Sequence, residues 1–266
     1  MTERPWFQAA FGAHYTLLYS HRNEAEAQQC LELLPRLAPL TGAQPGPVLD
    51  LGCGDGRHLQ LLAAAGVNAV GLDLSSHLLA LAADRLGPSG APLVRGDMRT
   101  LPFAAAHFDS VLSLFTAFGY FGPPADNGAP VAEIARILRP GGHWFLDYFD
   151  GDRVLAELGD GEARVRRRQG ECLAIEEIRQ YHPDRQQVVK DVRLTAVPGR
   201  EKEATAVGVG SEGLAYAEQV AVFTLAELDR LAADQGLLRV AAAGDYGGAA
   251  LGEGSRWILV FRKEND

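Results

Sequence analysis

The sequence is short of cysteine and of basic residues, and both shortages limit what the protein can be. Three cysteines, Cys30, Cys53 and Cys172, are spread over 266 residues without C-x-x-C spacing, which excludes a disulfide framework and a zinc ribbon. The seven histidines form no H-x-x-x-H or H-x-H pair, so we expect no metal site. Lys and Arg number 25 against 34 Asp and Glu, a net charge of −9. We therefore expect no nucleic-acid partner, because backbone phosphates require a broad basic face.

Long apolar runs are also missing. No stretch reaches the roughly 18 apolar residues that span a bilayer, and no clean apolar segment of a signal peptide follows Glu3, Arg4 and Pro5. We therefore expect a cytoplasmic protein without a membrane partner. Apolar residues at 47% and charged residues at 22% are typical of a globular chain long enough to bury a substantial core.

Short apolar runs alternate with amphipathic segments between residues 47 and 150. This alternation predicts right-handed βαβ units and hence an α/β fold with a parallel sheet. The turn Arg139-Pro140-Gly141-Gly142 is expected to precede the fifth strand. The predicted strands are 47–51, 67–74, 93–95, 108–114 and 143–148, and the predicted helices are 57–65, 75–86 and 127–138.

The remaining segments follow other patterns. Residues 1–46 are rich in aromatics and then become amphipathic, which predicts an N-terminal helical cap. Residues 151–222 have mostly extended patterns, near 163–168, 171–182, 186–197 and 203–222. They predict an antiparallel β insertion that serves as a lid or as the surface of a homodimer. Residues 223–266 return to the core with a helix, which Thr224 and Glu227 open as a capping box, and two strands.

The run Asp50-Leu51-Gly52-Cys53-Gly54-Asp55-Gly56 follows a predicted buried strand and opens a helix. Glycines allow a tight turn and a close approach of the backbone to a ligand, and the helix start offers free N–H groups. The dinucleotide fingerprint needs a further glycine where Arg57 stands. The spacing therefore disfavours an NAD(P)-dependent oxidoreductase, which we keep as a weaker alternative.

Two acidic residues at strand ends favour a nucleoside ligand. Asp73 ends the second predicted strand, where a carboxylate can accept hydrogen bonds from both ribose hydroxyls. Asp97 follows the third strand within Gly96-Asp97-Met98. Its carboxylate can accept from an adenine amino group, and the Met98 N–H can donate to the ring. A helix cap and a turn residue are the structural alternatives for Asp73 and Asp97.

Together these motifs resemble those of the class I S-adenosylmethionine-dependent methyltransferases. A run after the fourth strand, 115–121, is similar to the bacterial group of glycine, sarcosine and amino-sugar N-methyltransferases. The motifs that carry the resemblance are 48–56, Gly71-Leu72-Asp73-Leu74-Ser75, 96–98 with Leu101-Pro102-Phe103, Phe108-Asp109-Ser110-Val111 and Leu138-Arg139-Pro140-Gly141-Gly142.

The resemblance implies a Rossmann-like, seven-stranded and mostly parallel sheet with helices on both faces and an antiparallel last strand. It implies S-adenosyl-L-methionine as cofactor and S-adenosyl-L-homocysteine as product. The N-terminal segment would close over the cofactor, with Tyr15, Tyr19 and Arg22 near the methionine carboxylate; simple packing is the alternative for both tyrosines. The other implied cofactor residues are Asp50, Gly52, Cys53, Gly54, Gly56, Asp73, Leu74, Asp97, Met98 and Leu114.

The expected reaction is an in-line displacement on a small-molecule acceptor, driven mainly by proximity and orientation. A dedicated base is needed only where the acceptor must lose a proton. The sequence has no Asp/Asn-Pro-Pro-Tyr/Phe box after the fourth strand and no Pro-Cys nucleophile. It therefore lacks the motifs of enzymes that methylate nucleic-acid bases. A protein that binds S-adenosylmethionine without transferring its methyl group is the main alternative.

Acceptor contacts are expected at the carboxyl ends of the strands. Tyr120, Asp147, Tyr148 and Tyr246 are the candidates, with loop packing as the alternative for each. In the insertion, alternation places Arg164, Arg166 and Arg168 on one strand face. A solvated edge is the default interpretation of this basic cluster, and an anionic acceptor or a subunit contact is the alternative.

Overall fold

The computed structural model describes residues 6, 10–12, 14–18, 24–42, 45–88 and 90–265. The predictions for Tyr19 and Arg22 lie outside these residues. The first elements in chain order are α1 (Tyr15–Leu18), α2 (Glu24–Leu37), β1 (Val48–Leu51), α3 (Arg57–Ala64), β2 (Ala69–Asp73), α4 (Ser76–Leu86), β3 (Leu93–Arg95), β4 (Phe108–Ser113), a 3-10 turn (Pro124–Asn127), α5 (Gly128–Ile137) and β5 (Leu138–Phe149).

A second group of elements follows the fifth strand and returns to the first sheet at its end. No helix in the described part of the chain is long and apolar enough to cross a membrane. The elements are α6 (Gly151–Leu158), β6 (Arg164–Gln169), β7 (Leu173–His182), β8 (Gln187–Ala196), α7 (Glu201–Ala206), β9 (Leu214–Ala221), α8 (Leu225–Ala233), β10 (Leu237–Ala243) and β11 (Arg256–Lys263).

Seven strands form the central sheet in the order β10-β11-β5-β4-β1-β2-β3. Strands β1 to β5 run parallel, and β11 is antiparallel to both of its neighbours, β5 and β10. This confirms the predicted fold. Because β1 to β5 are parallel, their carboxyl ends and the loops that follow them all lie at one edge of the sheet.

The sheet is buried on both faces. Every residue of β4 is buried, as expected of a central strand that helices cover on both sides. One face packs Trp144, Tyr148 and Phe223 into the larger apolar cluster. The other face packs Leu34 of α2 and Leu59 of α3 against Phe145. The helices α2 and α3 thereby hold the edge of the sheet where the glycine loop lies.

The fifth strand begins earlier than its sequence predicts. The turn over 139–142 belongs to β5, but its pairing with β4 jumps from Phe108↔Leu138 to Ser110↔His143. The turn is therefore accommodated as an irregularity within the strand. Gly142 allows it, because a Cβ there would lie 2.8 Å from the carbonyl oxygen of Asp109.

The insertion contains an antiparallel four-stranded sheet in the order β6-β7-β8-β9, but it is not all extended. The prediction for 203–222 is wrong in its first half, because Glu201–Ala206 forms α7 and the strand starts at Leu214. Ala204 of α7 packs against Leu194 on this sheet, so burial favours the helix. A second helix, α6, opens the insertion because the Asp150 side chain accepts from the Arg153 N–H at 2.9 Å and caps it.

The chain leaves the central sheet at Gly151, where a side chain has no room. A Cβ at Gly151 would lie 1.9 Å from the Phe223 carbonyl oxygen, whereas a Cβ at Gly210 would meet nothing within 4 Å. We expect Gly151→Ala to lower the free energy of unfolding by about 1–3 kcal/mol, because the backbone must move. Gly210→Ala should change it by less than about 0.5 kcal/mol. Urea unfolding of both variants checks this, and equal stabilities would contradict it.

Candidate functional site

A cavity of about 720 Å³ opens at the carboxyl ends of β1 to β4. Its walls come from the loops after these strands, from the start of α3 and from the N-terminal segment. Of the residues that the sequence assigns to a cofactor, the following line it: Tyr15, Gly52, Cys53, Gly54, Asp73, Leu74, Asp97, Met98 and Leu114. Two others, Asp50 and Gly56, lie behind the wall.

The glycines of the loop have different tasks. Gly54 has a φ of 56°, and a Cβ there would project into open space, which is the cavity itself. Gly56 has a φ of 79°, and a Cβ there would lie 2.9 Å from the Ala82 Cβ of α4. Gly54 therefore leaves room for a ligand, and Gly56 lets α3 and α4 pack closely.

The Asp73 carboxylate supports the glycine loop from the end of β2. Its two oxygens accept from the Gly54 N–H at 2.9 Å and the Ser75 N–H at 2.8 Å. Burial raises the pKa of this carboxyl group, and the backbone hydrogen bonds oppose the rise. Each oxygen keeps a further lone pair, so Asp73 can hold the loop and still accept from ribose hydroxyls at the cavity wall.

The Asp97 carboxylate is fixed by its neighbour. It forms an ion pair with Arg99, with 2.6 Å between Nη2 and Oδ2, and it also accepts from the Arg99 N–H at 2.9 Å. The hydrogen bond from the Arg99 side chain lowers the pKa of Asp97. Asp97 thus stays ionised at the cavity wall, as an acceptor for an amino group requires.

Two buried polar atoms beside the cavity have no hydrogen-bond partner among the described residues: Asp50 Oδ2 and His58 Nε2. Burial raises the pKa of Asp50 to about 7, against the attraction of Arg57 and with added repulsion from Asp73 and Asp55. Burial and the adjacent Arg57 lower the pKa of His58 to about 3. Directly behind its wall the site therefore has a buried carboxyl group with one unbonded oxygen and no ion pair among the described residues, beside a neutral imidazole. Such a pair suits a ligand with a cationic group.

Aromatic side chains cover the opening of the cavity. The rings of Trp6 and Tyr120 pack edge to face at 5.2 Å, and Phe11 lies 5.2 Å from Tyr15 and 5.9 Å from Tyr120. The Ser75 hydroxyl donates to the Phe11 carbonyl oxygen at 2.9 Å. The N-terminal segment is thus attached to the cofactor side of the sheet.

Asp147 of β5 is the centre of a buried polar network. Its side chain is fully buried and pairs with Arg256 at 2.6 Å. The Tyr246 hydroxyl and the Phe115 N–H donate to its other oxygen at 2.5 and 2.8 Å. Burial and Asp147 raise the pKa of Tyr246. For Arg256, burial would lower the pKa, but Asp147 and Tyr246 raise it.

This network holds a strained loop after β4. Phe115 and Thr116 have φ values of 59° and 61°, which cost about 1–3 kcal/mol each outside glycine. The Phe115 ring lies between the guanidinium groups of Arg57 and Arg256, 4.4 and 4.9 Å from their Cζ atoms. Arg256 also donates to the Thr116 hydroxyl at 3.1 Å. The strain therefore persists because Asp147, Arg57 and Arg256 fix both residues.

A second cavity of about 540 Å³ lies between the central sheet and the face of the second sheet. It shares four wall residues with the first cavity: Phe11, Tyr15, Phe115 and Tyr120. The strained loop thus separates two adjoining spaces. One is lined by the residues expected to bind a cofactor, and the other is lined mainly by the insertion.

Of the four residues proposed to contact the acceptor, the structure places one in a cavity wall and three outside the walls of both cavities. Tyr120 lines both cavities, and its hydroxyl donates to the Thr116 carbonyl oxygen. Tyr148 is fully buried and donates to the Ala221 carbonyl oxygen at 2.6 Å, so it ties the central sheet to β9. Asp147 and Tyr246 bond to each other behind the loop. They position Phe115 and do not form a cavity wall.

The sequence interpretation missed several residues of the site. Arg57 and His58 immediately follow the glycine loop, and this proximity was the available signal. Arg256 had no comparable signal, because it lies 109 positions from Asp147. Phe11 of the aromatic segment was visible only as one of several aromatics.

Comparison with known proteins agrees with this geometry. Residues 48–142 match the methyltransferase domain family. The chain is 32% identical over 160 residues to dTDP-3-amino-3,4,6-trideoxy-alpha-D-glucopyranose N,N-dimethyltransferase of Streptomyces venezuelae, covering 57% of this chain and 65% of that one. It is 30% identical over 214 residues to a cypemycin N-terminal methyltransferase of a Streptomyces species, covering 80% of this chain and 81% of that one.

The fold has close counterparts among solved structures. The CcbJ methyltransferase from Streptomyces caelestis superposes with a TM-score of 0.75 over 97% of this chain and 99% of that one, at 18% identity. At this identity the likeness concerns the fold. Together with the sequence relatives, it shows that the chain belongs to the class I S-adenosylmethionine-dependent methyltransferases. The cofactor of this family is S-adenosyl-L-methionine, and the unpaired Asp50 oxygen and the open space beside Gly54 fit a cationic ligand.

The Asp147 network generates a first prediction for this site. We expect Asp147→Asn to lower the free energy of unfolding by about 3–5 kcal/mol, because it leaves the Arg256 charge without its buried partner. Tyr246→Phe removes one hydrogen bond and should cost about 1 kcal/mol. Urea unfolding measures both, and calorimetry should show weaker S-adenosylmethionine binding for any folded Asp147→Asn protein. An Asn variant as stable as the wild type would contradict the role of the pair.

Gly54 and Gly66 form a matched pair of variants. Both have positive φ values, 56° and 73°, and a Cβ at either position would meet nothing within 4 Å. Alanine at either should cost about 1–2 kcal/mol of stability. We expect only Gly54→Ala to weaken S-adenosylmethionine binding, by about tenfold (1.4 kcal/mol) or more, because its Cβ enters the cavity. Calorimetry on both variants checks this, and equal affinities would show that the ligand lies elsewhere.

The raised pKa of Asp50 leads us to expect that stability and cofactor affinity both depend on pH. With the pKa near 7 in the folded protein against 3.8 for a free carboxyl group, the native state retains a proton that the unfolded state loses, so stability without cofactor falls as pH rises through this window. A cationic ligand favours the ionised form. S-adenosylmethionine affinity should therefore fall by up to about tenfold per pH unit below pH 7.

The control is Asp50→Asn, which has no charge to titrate. It should flatten the pH profile of binding measured by calorimetry between pH 5.5 and 8, at about the affinity that the wild type shows at low pH. It should also raise the thermal midpoint of the cofactor-free protein at pH 8. A wild-type profile that stays flat across this range would rule out the contribution of Asp50.

Proposed function

We propose that this protein transfers a methyl group from S-adenosylmethionine to an amine on a small molecule. One observation carries the proposal: the cofactor-type cavity and the second cavity meet at Phe115 and Tyr120. A donor in one and an acceptor in the other can then be held in line. The relative from S. venezuelae is named as an N,N-dimethyltransferase of an amino sugar, which favours an amine acceptor.

The geometry of the two cavities supports a division of roles along the chain. We propose that residues 47–150 and 223–266 bind the cofactor, that 151–222 contact the acceptor and that 1–46 cover both. Asp73 would hold the ribose, Asp97 and the Met98 N–H the adenine, and Asp50 the ammonium group. Tyr15 lines both cavities, which supports a place for it beside the methionine part of the cofactor, where the two cavities adjoin. Leu114, Leu74 and Cys53 would complete the apolar surroundings.

S-adenosylmethionine, when bound, supplies a methyl group activated by the positive sulfonium. The residues of this chain then provide orientation, which can contribute about 7–11 kcal/mol to lowering the barrier. The network of Asp147, Arg57 and Arg256 holds Phe115 at the junction of the cavities. The aromatic side chains of the N-terminal segment exclude water from it.

The test uses two measurements on the same preparation. Calorimetry should show binding of S-adenosylmethionine and S-adenosylhomocysteine but not of NADH. Labelled methyl groups should then pass to members of a panel of small amines, alcohols and carboxylates. Absence of S-adenosylmethionine binding would reject the proposal. Binding without transfer, in a cell extract as well as in the panel, would favour a protein that binds the cofactor without using it.

A variant at Val220 can test the second cavity independently of the first. It lines the second cavity and not the first, so Val220→Trp should fill acceptor space. We expect S-adenosylmethionine binding to stay within about tenfold (1.4 kcal/mol), with labelled transfer lost. Val240→Trp is the control, because Val240 is 52% exposed on the sheet edge. Undiminished transfer by Val220→Trp would show that the acceptor does not use this cavity.

A further inference from the structure

The face of the second sheet that lines the second cavity carries an unusual row of charges. The strand register places Arg164 opposite Arg179, Arg179 opposite Lys190, and Lys190 opposite Glu218. Three neighbouring cations therefore share one row. Like charges directly opposite each other on a sheet are destabilising. Asp160 lies 2.5 Å from Arg164 and Glu218 lies 2.6 Å from Lys190, which leaves Arg179 as the cation of this row without an ion pair among the described residues.

Both carboxylates in the second cavity already form ion pairs with cations of the same wall. Four cations and two carboxylates line it: Arg166, Arg168, Arg179, Lys190, Glu177 and Glu218. Lys190 lies 2.6 Å from Glu218, and Arg168 lies 3.6 Å from Glu177. Arg166 and Arg179 form no ion pair with any residue that the structure describes. An excess of two positive charges thus faces the cavity of a chain with net charge −9.

The opposite face of the same sheet shows the contrast. There Arg167 and Arg193 both lie near Glu176, at 2.6 and 3.9 Å. On the outward face one carboxylate pairs with both arginines. On the cavity face the register sets Glu177 opposite Arg166, but Glu177 pairs with Arg168 and Lys190 and leaves Arg166 and Arg179 without an ion pair among the described residues. A basic edge that served only solubility would not confine its unpaired arginines to the cavity.

We infer that Arg166 and Arg179 bind a phosphoryl group, so that the acceptor is a phosphate or diphosphate ester. The inference rests on the proposed function and names its substrate class. Two guanidinium groups match the charge of a phosphate dianion and can each donate in a bidentate manner. The phosphoryl group binds at the second sheet, and the nucleophile extends toward Phe115 and Tyr120. Binding far from the reacting atom is a general way to orient a substrate.

Inorganic pyrophosphate is the probe, titrated by calorimetry at an ionic strength of about 0.1 M, where the Debye length is about 10 Å. The wild type should bind it. The double variant Arg166→Gln/Arg179→Gln should lose about tenfold or more in affinity, because it removes the charge-assisted hydrogen bonds to the phosphoryl group. Both side chains are exposed, so the variant should still fold. The matched control is Arg167→Gln/Arg193→Gln, which removes the same charge from the opposite face and should stay within about twofold.

Three results would overturn the inference: no pyrophosphate binding by the wild type, equal losses in the two double variants, or acetate binding as tightly as pyrophosphate. S-adenosylmethionine is titrated into the same samples. Arginine-dependent pyrophosphate binding without S-adenosylmethionine binding would support the anion site while rejecting the methyltransferase activity. Normal S-adenosylmethionine binding together with any of the three overturning results would reject the anion site alone.

Discussion

The buried carboxylate of Asp147 is the constraint on which the site depends. It lies on the central strand β5 and receives hydrogen bonds from the backbone of the strained loop, from Tyr246 and from Arg256. Burying such a charge is costly unless it is paired and hydrogen-bonded. The same bonds that satisfy Asp147 hold Phe115 in a left-handed conformation between Arg57 and Arg256. One buried group thereby sets the shape of the junction between the two cavities.

Charge is distributed unevenly between the two cavities. The first cavity has Asp73 and Asp97 in its wall and Asp50 behind it, and one oxygen of the buried Asp50 carboxyl group has no hydrogen-bond partner among the described residues. The insertion side carries two unpaired arginines. The first arrangement favours a cationic ligand, and the second favours an anionic one. Because a cavity with low-dielectric walls focuses the field of its charges, this separation would keep a cationic donor and an anionic acceptor in their own spaces.

The parts of the fold that could be predicted from the sequence are those governed by local rules. The βα alternation and the capping box of Thr224 and Glu227 are both confirmed. Each depends on residues a few positions apart. The helix Glu201–Ala206 was missed because its six residues are too few for a clear period, and its stability comes from Ala204 packing onto the second sheet.

The same distinction between local rules and tertiary packing applies to the candidate site. The sequence by itself was enough for the family resemblance and for most residues that line the first cavity. The loops after parallel strands meet at one edge of the sheet, and the residues concerned lie close together in each loop. The tertiary structure alone decided the second cavity, to which we assign the acceptor. It turned Tyr148 into the interior, paired Asp147 with a residue 109 positions away and faced Arg166 and Arg179 into a cavity. These outcomes depend on how two sheets pack against each other, and a pattern of neighbouring residues does not contain that information.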